Sequence, residues 1–174
     1  AHAYDPIGAE GPYAYRIKLM ADQIRELFGM DADNLEDFIL ASQISQAEAK
    51  KFFIEFTRCK KWRRTGVLWW NMIDCWPQFS DAVVSYDYIK KLAYHYIKRS
   101  QQDICLMFTE PKSWHIRLMA GNDTLAPACG TYRAWDGDTG ETLLAGTFEA
   151  PANGTAEVGK LRASHSDHRL ILIE

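Results

Sequence analysis

The chain lacks paired cysteines, a long apolar run, an excess of basic charge and any metal-ligand spacing, and each absence excludes something. Cys59, Cys75, Cys105 and Cys129 are scattered. No two stand at the spacing of a zinc site or a disulfide framework, so four separate thiols, mostly buried, are expected. No run approaches the about 20 apolar residues that span a bilayer, which sets a membrane partner aside. Lysine and arginine (20) are outnumbered by aspartate and glutamate (23), giving a formal net charge of −3. With no extended basic stripe, nucleic acid is not an expected partner either. The single basic knot, Lys60-Lys61-Trp62-Arg63-Arg64, falls near the end of a predicted helix, where cations suit the helix dipole.

His2, His95, His115, His165 and His168 share no helix face at metal spacing, and His165 and His168 fall in a polar turn. Asp136-Gly137-Asp138-Thr139-Gly140 opens like a calcium loop but lacks the later acidic ligand, so a hairpin turn is expected there. Neither a metal nor a cofactor is expected. No signal peptide is visible at Ala1.

What is present is a globular composition with an aromatic surplus, 47% hydrophobic and 13% aromatic over 174 residues. Its most informative stretch is Gly66-Val67-Leu68-Trp69-Trp70-Asn71-Met72-Ile73-Asp74-Cys75-Trp76-Pro77. The apolar run opened by Gly66 reads as a strand buried on both faces, as in a parallel sheet. Polar and aromatic groups then gather just past its carboxyl end, where α/β barrels place their active sites. Tryptophan beside Asn71 and Asp74 also suits a sugar: the ring takes the apolar face of a pyranose, and the amide and carboxylate take its hydroxyls. The plainer reading is a core strand with packing tryptophans.

The rest of the chain divides into unlike halves. Residues 1–14 are irregular, punctuated by Pro6, Gly8, Gly11 and Pro12. Helical spacing of Ile17, Met20, Ala21, Ile24, Leu27 and Phe28 predicts a helix over 15–28, stopped by Gly29. A second helix is predicted from Asp33, capped by that residue with Glu36 reaching back, and running toward Trp62. A third covers about residues 86–100. Beyond Gln101 the period becomes alternating, with strands predicted over 104–108, 114–120, 130–136, 142–148, 155–161 and 170–173. Short strands at that spacing suggest an antiparallel sandwich. The boundary falls within 100–104, dividing residues 1–102 from residues 103–174.

The first half contains a contradiction. It has three helices but one strand of the doubly buried kind, and a parallel strand must pair with others. It therefore reads as the tail of a larger α/β barrel: a crossing helix, the last strand and the last helix. The alternative is a small helical domain with residues 66–72 as buried extended chain.

The run from Gly66 to Pro77, followed by Phe79-Ser80-Asp81-Ala82-Val83-Val84-Ser85-Tyr86-Asp87-Tyr88 and Lys90-Lys91-Leu92-Ala93-Tyr94-His95-Tyr96-Ile97-Lys98-Arg99, resembles the end of the catalytic barrel in family 2 glycoside hydrolases. This is the family of β-mannosidase-, β-galactosidase- and β-glucuronidase-like enzymes, and the β-mannosidase-like branch is most similar. Ser42-Gln43-Ile44-Ser45-Gln46-Ala47-Glu48-Ala49 resembles the preceding barrel helix. The resemblance covers residues 35–110 well and the sandwich weakly.

It implies the C-terminal end of a (β/α)8 barrel followed by an immunoglobulin-like, partial antiparallel β-sandwich. It also implies a retaining glycosidase with two glutamates about 5–5.5 Å apart. In the family both lie on earlier strands, and neither Glu10 nor Glu26 has the required flanking pattern, so no catalytic residue is carried over. What the resemblance carries over is one wall of a sugar pocket. Trp70 matches the apolar floor under the sugar, Asn71 and Asp74 sit at the rim, and Trp76 lies against a neighbouring sugar or packs the loop. The implied partners are a carbohydrate substrate and the remainder of the same polypeptide. A polysaccharide-degrading parent would favour the periplasm or cell exterior over the cytoplasm. Two other functions stay open: a non-catalytic carbohydrate-binding module using Trp114 and Trp135, and a helix-plus-sandwich interaction protein.

Overall fold

A computed structural model describes residues 14–163 and 169–174. Pro6, Gly8, Gly11, Pro12, Glu10, His2, His165 and His168 lie outside the described residues. Three helices precede six strands: α1 (Ala14–Phe28), α2 (Leu35–Arg58), α3 (Leu92–Ser100), β1 (Ile104–Phe108), β2 (His115–Asn122), β3 (Ala128–Asp136), β4 (Thr142–Ala150), β5 (Gly154–Arg162) and β6 (Ile171–Ile173). The described residues form two compact units, one of residues 14–52 and 68–99, the other of residues 53–67, 100–163 and 169–174.

In the first unit, α1 buries Ile17 and Ile24 against Phe38 of α2. Phe79 meets Phe38 edge-on, with ring centroids 6.1 Å apart. Gly29 ends α1 at φ 71°, and its N–H donates to the Arg25 carbonyl at 2.8 Å, the left-handed stop that glycine allows. The cap of α2 is Asn34, not Asp33. The Asn34 side-chain oxygen accepts from the Asp37 N–H at 2.9 Å, so α2 begins one residue later than the Asp33–Glu36 spacing implied.

Two expectations are corrected here. Residues 66–72 are not a strand, and Leu68 and Trp70 are 102% and 73% exposed. Hydrophobicity alone cannot bury a strand, because its backbone N–H and C=O groups need a neighbouring strand. Among the described residues no strand pairs with 66–70. Likewise α3 starts at Leu92 rather than near Tyr86. Residues 85–90 instead form a tight turn in which the Ile89 N–H donates to the Ser85 hydroxyl and the Ser85 N–H to the Ile89 carbonyl.

The second unit is a β-sandwich. One antiparallel sheet has the order β1-β2-β5, the other β4-β3-β6. The alternation read from the sequence places inward residues at Ile116, Leu118 and Ala120 of β2, Tyr132 and Ala134 of β3, and Phe148 and Ala150 of β4. Leu118, Ala120, Tyr132, Phe148 and Ala150 make one core, onto which Ile104, Leu106, Leu144, Val158 and Ile173 pack. The Tyr132 hydroxyl donates to the Val158 carbonyl at 2.8 Å. Gly146 and Gly159 leave room for it, since a Cβ there would stand 3.2 and 3.1 Å from that oxygen.

The expected hairpin at Asp136 is present. Its side-chain oxygen accepts from the N–H groups of Asp138 and Thr139 at 3.0 and 2.9 Å. In the basic knot Lys61 and Trp62, together with Arg58 just before it, contact the sandwich residues. Arg58 and Lys61 both pair with Asp123, at 3.0 and 2.5 Å, and the Trp62 indole N–H donates to the Asn153 carbonyl at 3.2 Å. Asn122, fully buried, holds the β2–β3 connection by donating to the Ala126 carbonyl and accepting from the Thr124 N–H, both at 2.8 Å. All four cysteines remain thiols, but Cys75 and Cys129 are exposed and Cys59 and Cys105 half-buried, so they are less buried than expected.

Candidate functional site

The four expected site residues occupy one loop of the first unit, residues 68–91, and differ in burial and in partners. The first backbone pairing after the exposed run starts at Asn71. The Val83 N–H donates to the Asn71 carbonyl at 3.2 Å, the Val84 N–H to Met72 at 3.0 Å, and the Asp74 N–H to Val84 at 3.1 Å. Ile73 and Val84 form a parallel bridge, and Val84 bridges Lys90 in the antiparallel sense. This short ladder fixes where residues 71–74 can go.

Asp74 is the anchor of the loop. It is 5% exposed, and its carboxylate accepts from the Ser80 hydroxyl, from the Gln78 amide at 3.2 Å and from the Lys91 ammonium at 3.1 Å. Ser80 in turn accepts from the Ala82 N–H at 3.1 Å. A buried carboxylate needs such partners, because burying it unpaired costs far more than it returns. The loop is therefore closed through one carboxylate whose oxygens are engaged with protein.

The tryptophans behave differently. Trp76 is 54% exposed, Trp70 more so, and Asn71 is half-buried. Trp69 is half-buried, with the Lys50 ammonium 4.9 Å from its ring centroid, a cation–π placement. The same ammonium donates to the Trp70 carbonyl at 3.1 Å, so α2 holds both tryptophans through one lysine. Burial pushes the Lys50 ammonium below its ordinary pKa, and the charge of Asp81 opposes that shift. The Trp70–Asn71 peptide bond is cis, a feature the sequence did not signal. α2 supports the loop at two further points: Gln46 donates to the Asp81 carbonyl at 2.6 Å, and the Gln43 side chain accepts from the Leu92 N–H at 3.0 Å.

Chemically the loop offers aromatic faces and one half-buried amide in front of a saturated carboxylate. A cavity of about 310 Å³ beside α1 and α2 is lined by Ile24, Phe28, Leu40, Ala41 and Ile44, and none of the four site residues borders it. Among the described residues, no three histidine, cysteine, aspartate or glutamate side chains gather to hold a metal ion. No helix of the described residues is long and apolar enough to cross a membrane. In the second unit, Trp135 lies on β3 under the Arg133 guanidinium, 5.0 Å away, whereas Trp114 stands 67% exposed before β2. Trp135 is thus a strand residue and Trp114 a turn residue.

No family model matches the chain. It is 26% identical to β-mannosidase B of Thermothelomyces thermophilus over 186 residues, covering 85% of this chain and 22% of that protein. It is 27% identical to β-mannosidase B of Aspergillus niger over 136 residues, covering 73% of this chain and 14% of that one. The crystal structure of the β-D-mannosidase of Dictyoglomus thermophilum matches with a TM-score of 0.74 and 26% identity, over 90% of this chain and 20% of that chain. An exo-chitosanase of Amycolatopsis orientalis shares the fold, with a TM-score of 0.64 and 19% identity over 88% of this chain and 18% of that one. The resemblance to β-mannosidases is borne out. The matches cover 73% to 90% of this chain, more than residues 35–110, while the chain spans 14% to 22% of the length of the relatives it matches.

Proposed function

We propose that this chain acts as part of a retaining β-glycosidase of the family 2, β-mannosidase-like kind, supplying one wall of its sugar pocket. In this reading residues 1–102 are the last helices and last strand of a (β/α)8 barrel, and residues 103–174 an immunoglobulin-like sandwich. The remainder of the polypeptide provides the other barrel strands and both catalytic glutamates. The observation that carries the reading is the exposure of Trp70 and Leu68 in an extended run without a strand partner, in a chain matching about a fifth of its relatives' length. Neighbouring strands would pair that run and turn Trp70 toward a lumen.

Trp70 then presents its ring to the apolar face of the sugar, Asn71 offers an amide to a hydroxyl, and Trp76 extends the aromatic wall. Asp74, the fourth member of the expected set, serves the pocket by holding the loop through Ser80, Gln78 and Lys91. The chemistry needs a nucleophilic carboxylate and a second carboxyl as acid and then base, which this wall does not provide.

The chain alone should release no nitrophenol from p-nitrophenyl β-D-mannoside above buffer, and turnover by contaminant-free protein would refute the reading. In the longer polypeptide, Trp70→Ala should lower kcat/KM by about 2–4 kcal/mol of transition-state stabilisation, about thirty-fold to nearly a thousand-fold. Trp69→Ala should instead lower the melting temperature. Full activity in a folded Trp70→Ala variant would remove the platform role.

A further inference from the structure

Lys112, Ser113, Trp114 and His115 form the tight turn that feeds β2. The Lys112 N–H donates to the His115 carbonyl at 2.8 Å, and Ser113 and Trp114 have φ of 51° and 63°. Two successive positive φ values define the hairpin turn that normally takes Asn-Gly. A bulky aromatic residue there is conformationally costly, and such an outlier points toward function. The ring is 67% exposed, so packing within this chain does not explain it.

Beside that turn the strand register assembles charge that the linear sequence scatters. His115 pairs in register with Arg162, and Arg117 with Lys160. Ile116 and Leu118 point into the core, so these four residues share the outward face of β2 and β5. Lys112 lies at the turn itself. Arg117 has one carboxylate partner, Glu157 at 3.3 Å, with both side chains about half exposed. Among the described residues, Lys112, Lys160 and Arg162 have no ion-pair partner. In a chain of net charge −3, this is local cationic excess beside an exposed indole. Lysines on an edge strand also guard against strand addition, but that purpose requires no tryptophan in a strained turn.

We propose that the Trp114 turn and the outward Arg117, Lys160 and Arg162 form a binding site for an acidic polysaccharide, a uronate polymer. A sugar ring lies on Trp114, and its carboxylates meet the guanidinium and ammonium groups, with Arg117 and Arg162 able to engage them bidentately. This site is independent of the glycosidase reading, because it needs neither the loop at residues 68–91 nor any catalytic group.

The test is affinity electrophoresis of the 174-residue chain in gels containing polygalacturonate, uncharged dextran or, separately, duplex DNA. Polygalacturonate should retard the chain, weakening as salt rises, and dextran should not. The Lys160→Gln/Arg162→Gln double variant and Trp114→Asn should each weaken binding at least about tenfold. Asparagine suits the positive φ, so Trp114→Asn should melt at the same temperature or higher while losing the ligand. Equal retardation by dextran, stronger binding of DNA, unchanged binding in both variants, or a lower melting temperature for Trp114→Asn would each overturn the proposal.

Discussion

The two units use the same residue types to opposite ends. In the sandwich, alternating side chains meet across two sheets, and Leu118, Ala120 and Ala134 are completely buried. In the helical unit Ile17, Ile24 and Phe38 form one buried cluster and Ala47, Ala82, Val83, Ala93 and Ile97 are buried too, while Leu19, Phe28, Leu40, Leu68, Trp70, Trp76 and Ile89 are exposed. Its long loop buries Ala82 and Val83 and is held besides by polar groups: the Asp74 carboxylate, the Lys50 ammonium and the Gln43 and Gln46 amides. The difference teaches that an apolar run reports a demand for burial without naming what does the burying. The sandwich strands meet that demand with partners a few turns away in sequence, whereas residues 66–70 find no strand partner among the described residues.

One residue type tests this most directly. Leu118→Ala in the sandwich should cost about 3–5 kcal/mol, as a buried leucine truncated into a cavity does. Leu68→Ala, at 102% exposure, should change stability by no more than about 0.5 kcal/mol. Urea unfolding of the two variants measures both. Comparable losses would mean that Leu68 is buried in solution and that the contrast between the units is false.

The next effect sharpens the comparison inside the helical unit. Asp74→Ala leaves the Lys91 ammonium, whose side chain is 17% exposed, without its carboxylate, and it frees Ser80 and Gln78. Removing one partner of a buried pair costs about 3–5 kcal/mol, and the lower end is expected here because Lys91 is not fully buried. The loss should appear in tryptophan fluorescence, since Trp69, Trp70 and Trp76 ride on the same loop. An unaltered unfolding curve and emission spectrum would show that the loop is held by something other than this carboxylate.

Legibility in the sequence follows the same division. All six strands were readable because a period of two is local, and each matched within about two residues at its ends. Helix α1 was readable for the same reason, from its spacing and Gly29. The cap of α2 was misplaced because Asp33 and Asn34 are both good caps, and only the chain's turn decides between them. The start of α3 was missed because the Ser85–Ile89 turn competes with a helix through a serine hydroxyl. For residues 66–72 the apolar run was read correctly and its consequence was not. Asp74 was visible as polar beside tryptophans, but its bond to Lys91 spans 17 positions, and no sequence period connects them. The cationic face of β2 and β5 was invisible for a related reason. Arg117 and Lys160 are neighbours only through strand register, so a search for basic runs finds nothing.

The smallest expected effect compares two aspartates, one in each unit, by pH. The backbone N–H groups of Thr139 and then Asp138 hold the Asp136 carboxyl below its ordinary pKa. The hydrogen bond from Lys18 does the same for Asp22 on the surface of α1. A folded pKa below the unfolded value means that the unfolded state binds the proton more readily. Each group therefore adds stability above the unfolded aspartate pKa of about 3.9, and that contribution is lost as pH falls through the lower folded value. The two should differ in their response to substitution and salt. Asp136→Asn keeps an oxygen that accepts from Asp138 and Thr139, so the hairpin should survive while part of the acid-side slope disappears. Asp22→Asn should flatten the slope less, and only at low ionic strength, because an exposed i,i+4 pair is screened. Thermal melts of both variants between about pH 2 and pH 5, at low and high salt, measure this. An Asp136→Asn acid limb identical to that of the unsubstituted chain would show that the hairpin carboxylate titrates at its ordinary value, and the backbone N–H groups around it would then not be what keeps it charged.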